Sequence, residues 1–128
     1  MILAGDFYSI NDFHSSGNTV TAALEFNAAH EIFRGHFPQQ PVVPGVCMMQ
    51  VVKELTEQAV SKQLDLVTAN ELKFLAVIDP LTNNLITAEL KYVEEVGGKI
   101  NVVASLAKDS LIHFKFKGSF IQHRPSSK

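Results

Sequence analysis

One segment restricts the folds open to this chain more than any other: about Pro44 to Leu64, the only stretch with a convincing helical pattern. Its first half is apolar on nearly every side, with Val46, Cys47, Met48, Met49, Val51 and Val52. Its second half turns polar through Lys53, Glu54, Glu57, Gln58 and Lys62. A helix apolar all round has no face to give to water and has to be enclosed. The chain beyond the helix reads as strand: Thr68 to Ile78, Leu85 to Glu95, Lys99 to Lys108 and Leu111 to Gln122 are long and rich in β-branched and aromatic residues. Val96-Gly97-Gly98-Lys99 is a two-residue hairpin signal, and Lys108-Asp109-Ser110 a weaker one. Ahead of the helix, a short extended segment near Asp6 to Ile10 and a turn-rich stretch, His14 to Asn18, precede an alternating strand, Thr19 to Phe26. One buried helix and then a meander of antiparallel strands predict an α+β fold, a curved sheet wrapped around one long central helix. Residues 1–122 are expected to form a single domain, with 123–128 as a flexible tail.

The composition narrows the function classes. A net charge of −2 over 128 residues gives no global basic field for nucleic acid or anionic membrane, and the Arg and Lys residues are scattered. Hydrophobic residues make up 46% of the chain, which favours closure of some surface in an oligomer. A single cysteine, Cys47, rules out an intramolecular disulfide and suits a reducing cytoplasm. Met1 to Asp6 lacks the pattern of a signal peptide, and no apolar run nears the roughly 18 residues of a membrane span. A cytoplasmic protein without membrane or nucleic-acid partners is expected.

The most chemically suggestive run is His30 to Val46, which places His36 in a loop stiffened by Pro38, Pro41 and Pro44 and leads straight into the helix. Proline suits the first helical position, and Gly45 lets another group come close to the backbone. A histidine, a rigid loop and the free amides of a helix N-terminus supply a proton-transfer group and oxyanion-type donors. The plainer reading of a lone His-Phe-Pro is a tight turn into a buried helix.

Gly35-His36-Phe37-Pro38, then Pro41, then Pro44-Gly45-Val46, resembles the signature of the β-hydroxyacyl-acyl-carrier-protein dehydratases of fatty-acid synthesis, which have the hot-dog fold. A weaker echo is Glu71-Leu72-Lys73-Phe74 through Asp79-Pro80-Leu81. The resemblance implies that two subunits join their sheets, with active sites where the helix of one meets the loop of the other. It also implies His36 as the base that removes the α-proton and backbone amides near Gly45 and Val46 as holders of the thioester oxygen. The family's acid, a Glu or Asp on the helix fourteen residues after the histidine, falls on Gln50.

A carboxamide donates hydrogen bonds but does not titrate. General acid catalysis is typically worth 10²–10⁴-fold, or about 3–5 kcal/mol of barrier. Three outcomes are open: a dehydratase using His36 with Gln50, a non-catalytic acyl or acyl-carrier binding subunit that pairs with an active homologue, or a hot-dog thioesterase in which Gln50 positions a water. Glu54 lies one turn beyond Gln50 on the same face, about 6 Å further along the axis, and is expected to be an exposed charge. Cys47, in the first helical turn, is expected in the core rather than as a nucleophile.

Phe37, Met48, Met49 and Phe74 are candidates to line an acyl tunnel, although each taken singly reads first as core. Arg34, Lys53 and Lys73 are candidates to meet an acidic carrier protein. The expected partners are an acyl carrier protein or acyl-coenzyme A thioester and a second subunit, as a homodimer, a higher assembly or a heterodimer. No metal or cofactor is expected: His30, His36 and Cys47 lack zinc-site spacing, and no phosphate-binding or dinucleotide motif occurs. His14, His113 and His123 carry no assigned role.

Overall fold

The computed structural model describes residues 2–35 and 41–124. Six strands form one antiparallel sheet: β1 (Tyr8–Ser16), β2 (Thr19–Phe26), β3 (Leu64–Phe74), β4 (Leu85–Glu94), β5 (Ile100–Lys108) and β6 (Leu111–Gln122), in the order β1-β2-β4-β5-β6-β3. Two helices lie between β2 and β3: a short α1 (Ile32–Gly35) and the long α2 (Gly45–Val60). This is the α+β layout expected from the sequence.

The sheet has one wet and one dry face because its strands alternate. In β2, Val20, Ala22, Leu24 and Phe26 are buried while Thr21, Ala23 and Glu25 are exposed; β4 repeats this with Ile86, Ala88 and Leu90 against Leu85, Thr87 and Glu89. Phe114, Phe116 and Phe120 of β6 join the dry face. Cys47, Met48, Val51, Val52 and Leu55 of α2 belong to the same buried cluster, so the helix is the filling of the sheet. The hairpin expected at Val96–Lys99 forms, with Gly97 and Gly98 both at positive φ and the Glu95 amide donating to Lys99 O at 2.7 Å.

Several boundaries differ from the sequence pattern. Helix α2 stops at Val60 instead of Leu64, because Ser61 turns left-handed (φ 56°) and its amide donates to Glu57 O. The Glu57 carboxylate then accepts from the Leu64 amide at 2.7 Å, which aims the chain into β3 four residues earlier than expected. Strand β3 correspondingly ends at Phe74, where Leu75 and Ala76 amides turn to His113 O. The stretch His14 to Ser16, expected as turn, completes β1, and the reversal is confined to Gly17 and Asn18. Helix α1 has too few residues for a periodic signal; His30 supports it by accepting the Ile32 amide at Nδ1. His123, assigned to the tail, is tied by its amide to Gln63 O at 2.7 Å and by Nδ1 to Asp65. Residues 125–128 lie outside the described residues. Among the described residues, no helix is long and apolar enough to cross a membrane.

Candidate active site at the start of the central helix

The helix α2 begins directly after Pro44, whose φ of −63° and ψ of 146° are extended, and among the described residues no side chain caps it. The Cys47 and Met48 amides reach back to Pro44 O at 3.0 and 3.2 Å, closing the first turn. The Gly45 and Val46 amides precede the first amide that donates within the helix, and among the described residues nothing caps them. Val46 is 65% exposed, so α2 is not enclosed on every side within one chain. Donors backed by the positive end of a helix dipole favour a negatively polarised oxygen.

At Gly45 another side chain comes close to the backbone. A Cβ there would lie 2.8 Å from Phe74 Cε1 and 2.9 Å from Cζ. Phe74 comes from the end of β3, stacks on Phe114 at 5.0 Å between ring centres, and remains 53% exposed. Two of the expected residues from distant parts of the sequence therefore meet: an aromatic wall stands over the helix start. Met48 is buried in the core and Met49 is packed against it, half-buried.

Gln50 is half-buried, and its Nε2 donates to Glu54 Oε2 at 2.8 Å. Glu54 overturns its sequence expectation: it is 9% exposed rather than a surface charge. Its Oε2 also accepts from the Leu3 amide at 2.8 Å, and its Oε1 accepts from the Ala4 amide and the Tyr8 hydroxyl, each at 2.9 Å. The N-terminal segment, far away in sequence, brings these donors to the helix. Burial pushes the Tyr8 hydroxyl well above the usual tyrosine range, and the Glu54 carboxylate adds to it. Sequence reasoning missed Glu54. The available signal was its flanking by Val51, Val52, Leu55 and Thr56, a poor setting for a solvated charge.

Cys47 is buried, and its thiol is raised from the ordinary value, chiefly by burial and secondarily by Glu54. That is the opposite of what a nucleophile at a helix start needs. His113 is 1% exposed; its Nδ1 lies 3.0 Å from Val77 O, and its Nε2 has no partner among the described residues. Arg34 (exposed, on α1), Lys53 (half-buried, on α2) and Lys73 (exposed, on β3) sit on three elements. Lys73 pairs with Glu71 at 2.9 Å. His36 and Phe37 lie outside the described residues. Among the described residues, no cluster of three or more His, Cys, Asp or Glu side chains could hold a metal.

A helix wrapped by an antiparallel sheet is shared with solved structures of the hot-dog class. The dehydratase heterocomplex ApeI:P from Xenorhabdus doucetiae aligns with a TM-score of 0.71 at 18% identity, covering 88% of this chain and 96% of that one. A putative thioesterase, a phenylacetic acid degradation-related protein from Ralstonia eutropha, aligns at 0.62 and 12% identity, covering 86% and 83%, so this likeness speaks for the fold alone. In sequence, residues 12–117 match the ApeI-like family, described as ApeI dehydratase, and the chain belongs to that family. Relatives named 3-hydroxyacyl-[acyl-carrier-protein] dehydratase FabZ include that of Shewanella woodyi, 27% identical over 96 residues, 75% of this chain and 59% of the relative. That of Vibrio atlanticus is 34% identical over 61 residues, 48% of this chain and 41% of the relative. This chain thus spans well under two-thirds of the length of the relatives it matches.

Proposed function

We propose that this chain is a dehydratase-type subunit acting on 3-hydroxyacyl thioesters, with the thioester oxygen received by the Gly45 and Val46 amides. The observation that carries this reading is the uncapped start of α2 with Phe74 standing over Gly45. Amide donors beside an apolar wall suit a group with one polarised carbonyl and an alkyl chain. His36, from the loop before α2, is the base that takes the α-proton; the resulting enolate oxygen gains most from the amides, which is where catalysis needs the interaction. The imidazolium formed when His36 takes that proton returns it to the departing β-hydroxyl, giving the enoyl thioester and water. Met48, Met49 and, from its place in the sequence motif, Phe37 are assigned to the acyl chain, and Arg34, Lys53 and Lys73 to an acidic carrier protein.

The exposed apolar side chains along and just after β3, including Leu66, Val67, Leu72, Leu75 and Val77, favour assembly through that sheet edge. A second reading, in which this subunit lacks its own acid and works beside an active partner, is favoured by one observation. The side chain at position 50 is a carboxamide whose nitrogen faces Glu54. A fold neighbour is itself named a dehydratase heterocomplex.

The test is incubation of the purified protein with a short 3-hydroxyacyl carrier-protein substrate, with products resolved by mass. Loss of one water supports the dehydratase. An unchanged substrate that stays bound supports the partner-dependent subunit, and release of free acid replaces both with a thioesterase.

A further inference from the structure

We infer that His113 is a positioning residue: it grips the turn after β3 and thereby fixes the Phe74 ring over the start of α2. The inference rests on the acyl-thioester reading above and deepens it, since that ring is the wall beside the Gly45 and Val46 amides. His113 interrupts the alternation of β6. Leu106 of β5 pairs with Phe114 and Ala107 with Ile112, so His113 is the extra residue of a β-bulge. The bulge lets His113 and Phe114, neighbours in sequence, both be buried.

The bulged residue holds three successive residues of the turn. Its carbonyl accepts from the Leu75 amide at 2.9 Å and the Ala76 amide at 3.3 Å. Its Nδ1 lies 3.0 Å from Val77 O and 3.3 Å from Ala76 O. Carbonyl oxygens only accept, so Nδ1 carries the hydrogen and donates. The residue before the turn is Phe74, paired with Phe114 across the strands and stacked on it. The residue after it is Ile78, whose carbonyl accepts from the Val43 amide at 2.9 Å, two residues ahead of Gly45. The turn that His113 holds thus has Phe74 at one end and the approach to α2 at the other. An imidazole is a poor filling for this space: it is 1% exposed, and its Nε2 has no partner among the described residues. A leucine would leave no buried acceptor unpaired. What leucine lacks is the Nδ1 donor, and that donor closes the grip on Val77. The Phe74 ring is half-exposed, so where it stands depends on how firmly its backbone is held.

Nuclear magnetic resonance of the whole, ligand-free protein tests the grip first. The imidazole nitrogen shifts of His113 at neutral pH should show a hydrogen on Nδ1, and a bare Nδ1 overturns the inference. A nuclear Overhauser contact between the Phe74 ring and the Gly45 α-hydrogens is expected in wild type and in His113→Asn, whose side-chain amide puts a donor near the place of Nδ1. The contact should weaken several-fold in folded His113→Leu, and an undiminished contact there overturns the inference. Should His113→Leu fail to fold, loss of the contact in folded His113→Asn overturns it instead. Binding of a 3-hydroxyacyl pantetheine thioester is the second arm. Affinity should fall about tenfold in His113→Leu and stay within about twofold of wild type in His113→Asn. In a Phe74→Ala background, His113→Leu should cost less than about twofold in further affinity, while its loss of stability persists. A purely structural role predicts no such split, and a full tenfold loss in that background overturns the inference. Wild type that binds no thioester overturns the acyl reading instead, and the ligand-free results then decide the placement of the ring.

Discussion

The two ends of α2 are built on opposite principles. At the start, Gly45 and Val46 offer amides that nothing in the described chain caps, and Val46 lies largely in solvent. From Glu54 onward, the polar groups are closed within the chain: Glu54 accepts four donors, Thr56 Oγ1 donates to Val52 O at 2.8 Å, and Glu57 receives the Leu64 amide. A helix end left open while the other is sealed marks where function has been given precedence over stability. The sealed end holds the fold together, and the open end faces what the chain works on or pairs with.

The largest effect should come from breaking the seal. Glu54→Leu strips the acceptor from two backbone amides, a buried phenol and a carboxamide, and should cost about 3–5 kcal/mol by urea unfolding. Glu54→Gln keeps one acceptor oxygen and should cost less, about 1–3 kcal/mol. Removing the partner at the more open end, Gln50→Leu, should cost under about 1 kcal/mol. Comparable losses at positions 50 and 54 would erase the distinction between the ends.

Alkaline pH should attack the same region without mutation. Tyr8 and Cys47 are both buried beside the Glu54 carboxylate, and both are raised above their ordinary values of 10.0 and 9.0. Between the unfolded and folded values, the unfolded chain has lost protons that the native chain retains, so stability falls as pH rises. The contribution is fully present at neutral pH and should begin to fade near pH 9. Unfolding at about pH 7, 9 and 10.5 should show this decline, with a shallower slope in Cys47→Ala and in Tyr8→Phe. A wild-type curve flat to about pH 10.5 would contradict the burial of these groups.

At the open end, Gly45→Ala should leave stability within about 1 kcal/mol, since a helix gains from alanine what the new contact costs. The new Cβ meets the Phe74 ring, which is half-exposed and can swing aside. Thioester binding should fall about tenfold, because the displaced ring moves relative to the amides. Adding Phe74→Ala should remove most of the further effect of Gly45→Ala, a non-additivity expected of residues in contact. Additive losses would mean that ring and glycine act separately.

The periodicity of α2 and the alternation of β2, β4, β5 and β6 made the architecture legible, because each depends on a local repeat. The shift of β3 was hidden because the Ser61 left-handed turn and the Glu57 side-chain bond, neither periodic, set where that strand starts. The glycine at position 45 announced a close approach but not its partner, and the meeting of Phe74 with Gly45 was not legible because the two lie far apart in the sequence. Glu54 was misread for a related reason: its partners Leu3, Ala4 and Tyr8 lie far off near the N-terminus, and no local pattern announces a carboxylate bound by distant backbone amides.

The smallest effect is expected at Val46, and it bears most directly on what covers the open end. Its side chain is exposed within one chain, so Val46→Ser should change the stability of the isolated chain by no more than about 0.5 kcal/mol. If assembly buries this end, the substitution instead weakens association, and the cost emerges only where wild type is associated. Urea midpoints measured over roughly a hundredfold range of protein concentration, with light scattering at each point, separate the two. The expected pattern is a mutant midpoint below wild type at high concentration, converging with it on dilution as the wild-type mass falls to that of one chain. A gap of constant size at every concentration would mean that Val46 packs within its own fold, and the start of α2 would then be as closed as its other end.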